Sequence, residues 1–204
     1  GPVEADYRLT GRALEVIARY GFAVHLITKS DLVLRDADVL AEINARARAT
    51  VSFTITTPHD DLAMHLEPGA PPSSRRYAAL AALASRGIDV GVTMMPILPF
   101  IEDAEEDVRE IVTRAKECGA RYVMAGWGLT MRDRQREYFY RELDRLFPGL
   151  RPRYERAYGN RYGCPPPNVR RLEAVFEDLL QDLGLERCVR PYVEEPAVRQ
   201  LGLF

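Results

Sequence analysis

Phe22-Ala23-Val24-His25-Leu26-Ile27-Thr28 is a short, nearly continuous apolar run that stops at polar Lys29-Ser30-Asp31. A strand covered on both faces reads this way, as the strands of a parallel sheet do. Upstream the period is different: Leu9, Ala13, Val16, Ile17 and Tyr20 recur at helical spacing, and Gly21 stands where a helix would stop. Downstream, Asp36 is placed to cap a second helix running to about Ala47, and Thr50-Val51-Ser52-Phe53-Thr54-Ile55-Thr56-Thr57 is rich in β-branched residues, as a second strand would be. The stretch from His59 to Pro72 reads as a loop. Ser73 or Ser74 then opens a helix carrying Tyr77, Leu80, Ala81 and Leu83 before Gly87, and Ile88 to Met95 gives a third strand closed by Pro96 and Pro99. An acidic start at residues 102–107 leads a helix through Val108, Ile111, Val112 and Ala115 to Gly119, and Arg121 to Trp127 is the fourth strand. Helix and strand alternate four times at the spacing of βα units, which predicts an α/β fold with a parallel sheet or barrel and helices outside it.

Past Gly128 the alternation breaks. Residues 131–147 and 151–158 read as helices, Gly159 to Asn168 as a loop rich in Pro and Gly, and Val169 to Leu183 as a final helix, with no strand expected. The chain therefore divides into a βα portion, residues 1–128, and a helical C-terminal extension, residues 129–204, packed on it.

The 204 residues are 47% hydrophobic and 28% charged, the profile of one compact soluble domain. No apolar run approaches the roughly 20 residues that cross a bilayer, and the start lacks the layout of a secretory signal, so a cytoplasmic protein with no membrane partner is expected. A net charge of −2 excludes a globally basic nucleic-acid binder and leaves only a local basic face. That face would lie at 131–171, where 11 Arg meet 5 acids and Tyr138, Phe139, Tyr140, Tyr154, Tyr158 and Tyr162 are interleaved. Arg can pair with phosphates there and rings can stack on bases, but a solvated Arg face over rings packed in a core reads equally well. Cys118, Cys164 and Cys188 are too few and too scattered for a disulfide framework or a metal cluster. His25, His59 and His65 lack metal-site spacing.

Strand ends are where such folds place their sites. Thr28-Lys29-Ser30, Met94-Met95-Pro96 and Gly126-Trp127-Gly128 occupy three of them, and Ser52, Thr54 and Thr56 share one face of the second strand because strand period is two. The cations are 26 Arg and only 2 Lys, Lys29 and Lys116, so Lys29 draws attention as a place where an ammonium is wanted. It could bind a carboxylate as a point charge or, desolvated, form a Schiff base; a solvated lysine at a strand end is the plain alternative.

The strings Ile27-Thr28-Lys29-Ser30-Asp31, Val51-Ser52-Phe53-Thr54-Ile55-Thr56-Thr57 and Leu66-Glu67-Pro68-Gly69-Ala70-Pro71-Pro72, followed by Arg76, Ala79, Leu80, Leu83 and Gly87 and by Gly91 to Pro99, resemble the radical SAM proteins related to spore photoproduct lyase and often labelled DNA repair photolyases. Phe147-Pro148-Gly149, Tyr154 and Tyr158-Gly159 continue the likeness, which covers nearly the whole chain. The resemblance implies a partial (β/α) barrel, a [4Fe-4S] cluster on a Cys-x3-Cys-x2-Cys loop, and reductive cleavage of S-adenosylmethionine to start radical chemistry. It also implies that Lys29, Ser52 and Thr54 line the S-adenosylmethionine pocket and that Arg76 is a carboxylate partner on the next helix. The three-Cys loop is absent from this sequence, and Pro2 to Thr10 matches the segment entering the family's second βα unit. With Gly1-Pro2 at the start, the chain reads as the C-terminal two thirds of a catalytic parent, with no catalytic or metal-ligating residue assignable within it. The alternatives are a cluster-free derivative acting as a binding or scaffold protein, and a cofactor-free enzyme using the Lys29 amine. An exposed sheet edge would call for a missing segment or an oligomer.

Overall fold

The computed structural model describes residues 2–132 and 134–193. Helices α1 (Pro2–Tyr7) and α2 (Leu9–Tyr20) precede β1 (Val24–Thr28), a 3-10 turn (Asp31–Asp36), α3 (Ala37–Arg46) and β2 (Ala49–Thr54). Then come α4 (Asp60–Leu66), α5 (Ser73–Ala84), β3 (Asp89–Ile97), α6 (Glu105–Glu117) and β4 (Tyr122–Trp127). The remainder comprises β5 (Leu129–Thr130), α7 (Gln135–Leu146), α8 (Arg151–Tyr158), β6 (Gly163–Cys164) and α9 (Val169–Leu183). Strands β1 to β4 form one parallel sheet in the order β1-β2-β3-β4, and no closed barrel is present among the described residues.

The register gives the sheet two unlike faces. Leu26, Val51 and Val90 lie side by side, as do Thr28, Phe53, Val92 and Val123, and this face packs under α2, α3, α5, α6 and α9 through Leu14, Leu40, Leu80, Ile111 and Phe176. The opposite face carries His25 beside Thr50, then Ile27, Ser52, Gly91 and Tyr122 in one row and Thr54, Thr93 and Met124 in the next. The two outer edges differ as well. Along β4 the chain after α9 takes up the edge, Val123 N–H donating to the Glu186 carbonyl and Glu186 N–H to that of Arg121. Along β1 no described strand pairs with the outer edge.

Local chemistry departs from the periodic reading in four places. Asp36 sits before α3 but makes no capping bond to it; its carboxylate instead takes Arg8 Nη2 at 3.1 Å. A Cβ on Gly11 would lie 2.5 Å from Asp36 Oδ1, so it is the missing side chain of Gly11 that lets α2 approach this pair. Ser30 starts the 3-10 turn, its Oγ accepting from Leu32 N–H at 3.2 Å. The expected loop from His59 to Pro72 contains α4, too short to show a period. Strands β5 and β6, two residues each, pair antiparallel where no strand was expected, for the same reason.

Helices α7 and α8 form a second cluster of Met131, Tyr140, Leu143, Tyr154, Tyr158 and Cys164, separate from the sheet core. Leu172, Phe176 and Leu180 of α9 belong to the sheet core.

Candidate functional site

The carboxyl ends of β1, β2 and β3 converge on Glu67. This residue follows α4 and accepts at Oε1 from Lys29 Nζ, while its Oε2 lies 2.7 Å from Arg76 Nη2. Burial pushes the Glu67 carboxyl up, but the hydrogen bonds and charges of Lys29 and Arg76 outweigh it and hold the group below the usual carboxylate range. Arg76 is 1% exposed, and its guanidinium is shared out within the chain: Nη1 donates to the Thr54 carbonyl and Nε to that of Pro71, both at 2.8 Å. A buried fork donor of this kind ties the end of β2 to the turn before α5. The carboxylate that Arg76 meets is therefore Glu67, a protein group. Lys29 remains the accessible cation, with 43% of its side chain exposed.

Ser52 does not join this cluster. It lies mid-strand with no exposed surface, its Oγ 2.7 Å from His25 Nε2 and 2.6 Å from Tyr122 OH. Thr54 Oγ1 pairs with Thr93 Oγ1 at 2.9 Å. Thr56 Oγ1 donates to Glu102 Oε1 at 2.5 Å. Ser52 and Thr54 share a face of β2, Thr56 lies past its end, and each of the three hydroxyls is engaged by a protein partner.

Glu102 is the residue that the sequence hides, because an acid in an acidic run before a helix reads as a solvated charge. It is 2% exposed, and Leu98 N–H donates to its Oε2 at 3.1 Å. Burial pushes its carboxyl up to about 7 against the pull of the Thr56 and Leu98 hydrogen bonds. Glu102, Thr56, Glu67 and Arg76 line a cavity of about 300 Å³ together with Leu98, Ile101 and, from α7, Phe139, Glu142, Leu143, Arg145 and Leu146. Only the tertiary packing of α7 over the strand ends creates it.

In the Arg- and Tyr-rich segment, Tyr140, Tyr154 and Tyr158 are buried, whereas Tyr138 and Tyr162 are exposed. Arg136 donates to the carbonyls of Gly159 and Arg161 at 2.7 and 2.6 Å, Arg151 pairs with Asp144 and Glu155, and Arg171 with Glu105. Much of the local cationic excess is thus spent on internal contacts. His59 Nε2 meets Asp107 at 3.0 Å, and His65 packs edge-on against Phe147.

No family model matches the chain. The chain is similar to solved structures of spore photoproduct lyase: one complexed with dinucleoside spore photoproduct, with TM-score 0.62, 17% identity and coverage of 89% of this chain and 54% of that one. A variant of that enzyme with bound AdoMet and the same photoproduct gives TM-score 0.61 and 18% identity, covering 89% and 55% of the two chains. The four-stranded parallel sheet with its helices is similar in fold to about half of spore photoproduct lyase. Among curated proteins, the uncharacterized protein Rv2578c of Mycobacterium tuberculosis is 28% identical over 163 residues, 80% of this chain and 48% of its own length. The uncharacterized protein MJ0683 of Methanocaldococcus jannaschii is 33% identical over 109 residues, 53% of this chain and 40% of its own. The chain spans about half the length, or less, of the curated relatives it matches.

The residues present do not fit an iron–sulfur cluster. Cys118 ends α6, Cys164 lies in β6 and Cys188 follows α9, and no group of metal-ligating side chains occurs among the described residues. No described helix is long and apolar enough to cross a membrane.

Proposed function

We propose that this chain is the C-terminal part of a radical SAM enzyme of the spore photoproduct lyase-like, DNA repair photolyase-like group. The observation that carries the reading is the uncovered side of the sheet. The outer edge of β1 pairs with no described strand, and Val16 and Tyr20 of α2 and Phe22, which precedes β1, are 49, 68 and 65% exposed. A further βα unit laid on β1 would satisfy the strand's free backbone groups and cover these side chains, extending the sheet toward a barrel. In this reading the cluster is carried by residues outside this chain, and no step of its chemistry is assigned to residues within it. The intact enzyme would bind S-adenosylmethionine over the polar face of the sheet. Lys29 offers the accessible ammonium there, while Ser52 ties the strands together at mid-sheet and Thr54 and Arg76 hold the strand ends through their internal bonds. Residues 1–128 would then form the incomplete barrel and 129–204 the extension covering it. DNA is the proposed substrate class, met by exposed Tyr138, Tyr162 and Arg132 within 131–171.

The test is anaerobic reconstitution of the gene's full product. Bound iron and acid-labile sulfide, with 5′-deoxyadenosine released on reduction in the presence of S-adenosylmethionine, are expected. A folded full product that takes up no iron overturns the reading. The placement of the three cysteines favours a second one, a cluster-free binding or scaffold protein in the cytoplasm. Intact mass and N-terminal sequencing of native protein separate the two, since the second requires a native polypeptide without the cysteine loop.

A further inference from the structure

The cavity beneath α7 holds one acid that no cation answers. Of the carboxylates lining it, Glu67 is paired with Lys29 and Arg76, and Glu142 with Arg145 at 2.8 Å. Glu102 has no ion pair among the described residues. Each of its oxygens accepts one hydrogen bond, from the Thr56 hydroxyl and the Leu98 N–H, so roughly half of a carboxylate's four acceptor positions are unused. A charge buried without a counterion is costly, so an empty cavity favours the neutral acid and a cationic guest favours the ionised one. Apolar and aromatic side chains, Leu98, Ile101, Phe139, Leu143 and Phe147, supply much of the remaining lining, His65 stands beside them, and the two guanidiniums in it, Arg76 and Arg145, are paired with Glu67 and Glu142. The volume, about 300 Å³, lies at the small end of ligand sites.

We propose that this cavity binds a small monocation with an apolar body, an aryl- or alkylamine, whose ammonium pairs with Glu102. The site is independent of the radical SAM reading, because every residue it uses lies in this chain. Since the Glu102 carboxyl titrates near 7, the complex forms more readily as pH rises through that value and expels a proton when formed below it.

The experiment is calorimetric titration of the chain with benzylamine and with benzyl alcohol, its neutral isostere, at pH 6 and pH 8. At pH 8 benzylamine should bind at least tenfold more tightly than the alcohol. Its affinity should fall about tenfold at pH 6, where Glu102 is mostly protonated, and the heat there should vary with the ionisation enthalpy of the buffer. Glu102→Gln should lose both the preference for the amine and the pH dependence while still taking up the alcohol. Leu146→Trp, which fills the cavity, should lose both probes. Equal affinities for the two probes, pH-independent amine binding, an amine preference that survives in Glu102→Gln, or no binding of either probe at millimolar concentration would each overturn the proposal. The wild-type measurements decide the matter even if both variants fail to fold.

Discussion

The molecule has two cores built by different rules. The sheet core is aliphatic and periodic: Val51, Phe53, Val90, Val92 and Val123 alternate along strands, and Leu80, Leu83, Val108 and Ile111 recur on helices. The cluster under α7 and α8 is built around three tyrosines, of which Tyr154 and Tyr158 find carbonyl partners for their hydroxyls and Tyr140 does not. Tyr154 OH donates to the Pro99 carbonyl and Tyr158 OH to that of Pro165 at 2.6 Å, while Arg153 lies 4.0 Å over Phe100 and Arg151 5.0 Å over Tyr140. A buried aromatic with a polar tip gives area only where a carbonyl is waiting for it. The first core follows from pattern alone, whereas the second depends on where loops from distant segments end up. Glu102 and the cavity lie at the seam between them.

The comparison breaks first, and hardest, in the sheet. Phe53→Ala should lower unfolding free energy by about 3–5 kcal/mol in urea, because a fully buried ring leaves a cavity between the sheet and the helices that cover it. A loss below about 1 kcal/mol would mean the sheet core is more pliable than its burial implies. The seam comes next. Glu102 has a folded-state pKa of about 7, above its ordinary 4.5, so the native state holds a proton that the unfolded state gives up as pH rises between these values. Stability should therefore be greatest below pH 4.5 as far as this group is concerned, fall by about 3 kcal/mol as pH rises to 7, and be level above. Glu102→Gln should remove that slope in pH-dependent thermal melts.

The tyrosine cluster is expected to respond less and more locally. Tyr154→Phe leaves the Pro99 carbonyl without its buried donor, at a cost of about 1–2 kcal/mol. Hydrogen exchange should speed up in α7 and α8 while β2 and β3 amides stay protected; uniform loosening would show that the two cores fold as one unit. The smallest effect belongs to Lys29, whose ion pair is partly exposed. Lys29→Ala should change stability by less than about 1 kcal/mol. If Lys29 serves the proposed S-adenosylmethionine pocket, the same substitution in the full product should weaken binding of that ligand far more than it disturbs folding.

Parts of the candidate site were legible as residues but not as an arrangement. The rarity of Lys singled out Lys29, and strand period put Ser52 and Thr54 on one face, while Thr56, expected there too, lies past the end of β2. Neither signal says that Glu67, 38 positions after Lys29, would take both its ammonium and the Arg76 guanidinium. The resemblance implies Arg76 as a carboxylate partner; the carboxylate it meets is Glu67 of the chain itself, and the same guanidinium anchors β2 to the Pro71 turn. The Arg excess of the C-terminal region was likewise visible as a count, while its spending on carbonyls such as those of Gly159 and Arg161 was not.

Alternating hydrophobic periods determined by themselves that helices and parallel strands would alternate, because burial of an apolar face depends on local spacing alone. Packing of α7 over the strand ends decided the rest: which acid loses water, which cation keeps its charge partner and where a cavity opens. Those outcomes depend on dielectric and distance between residues far apart in the chain, and neither quantity exists before the chain folds.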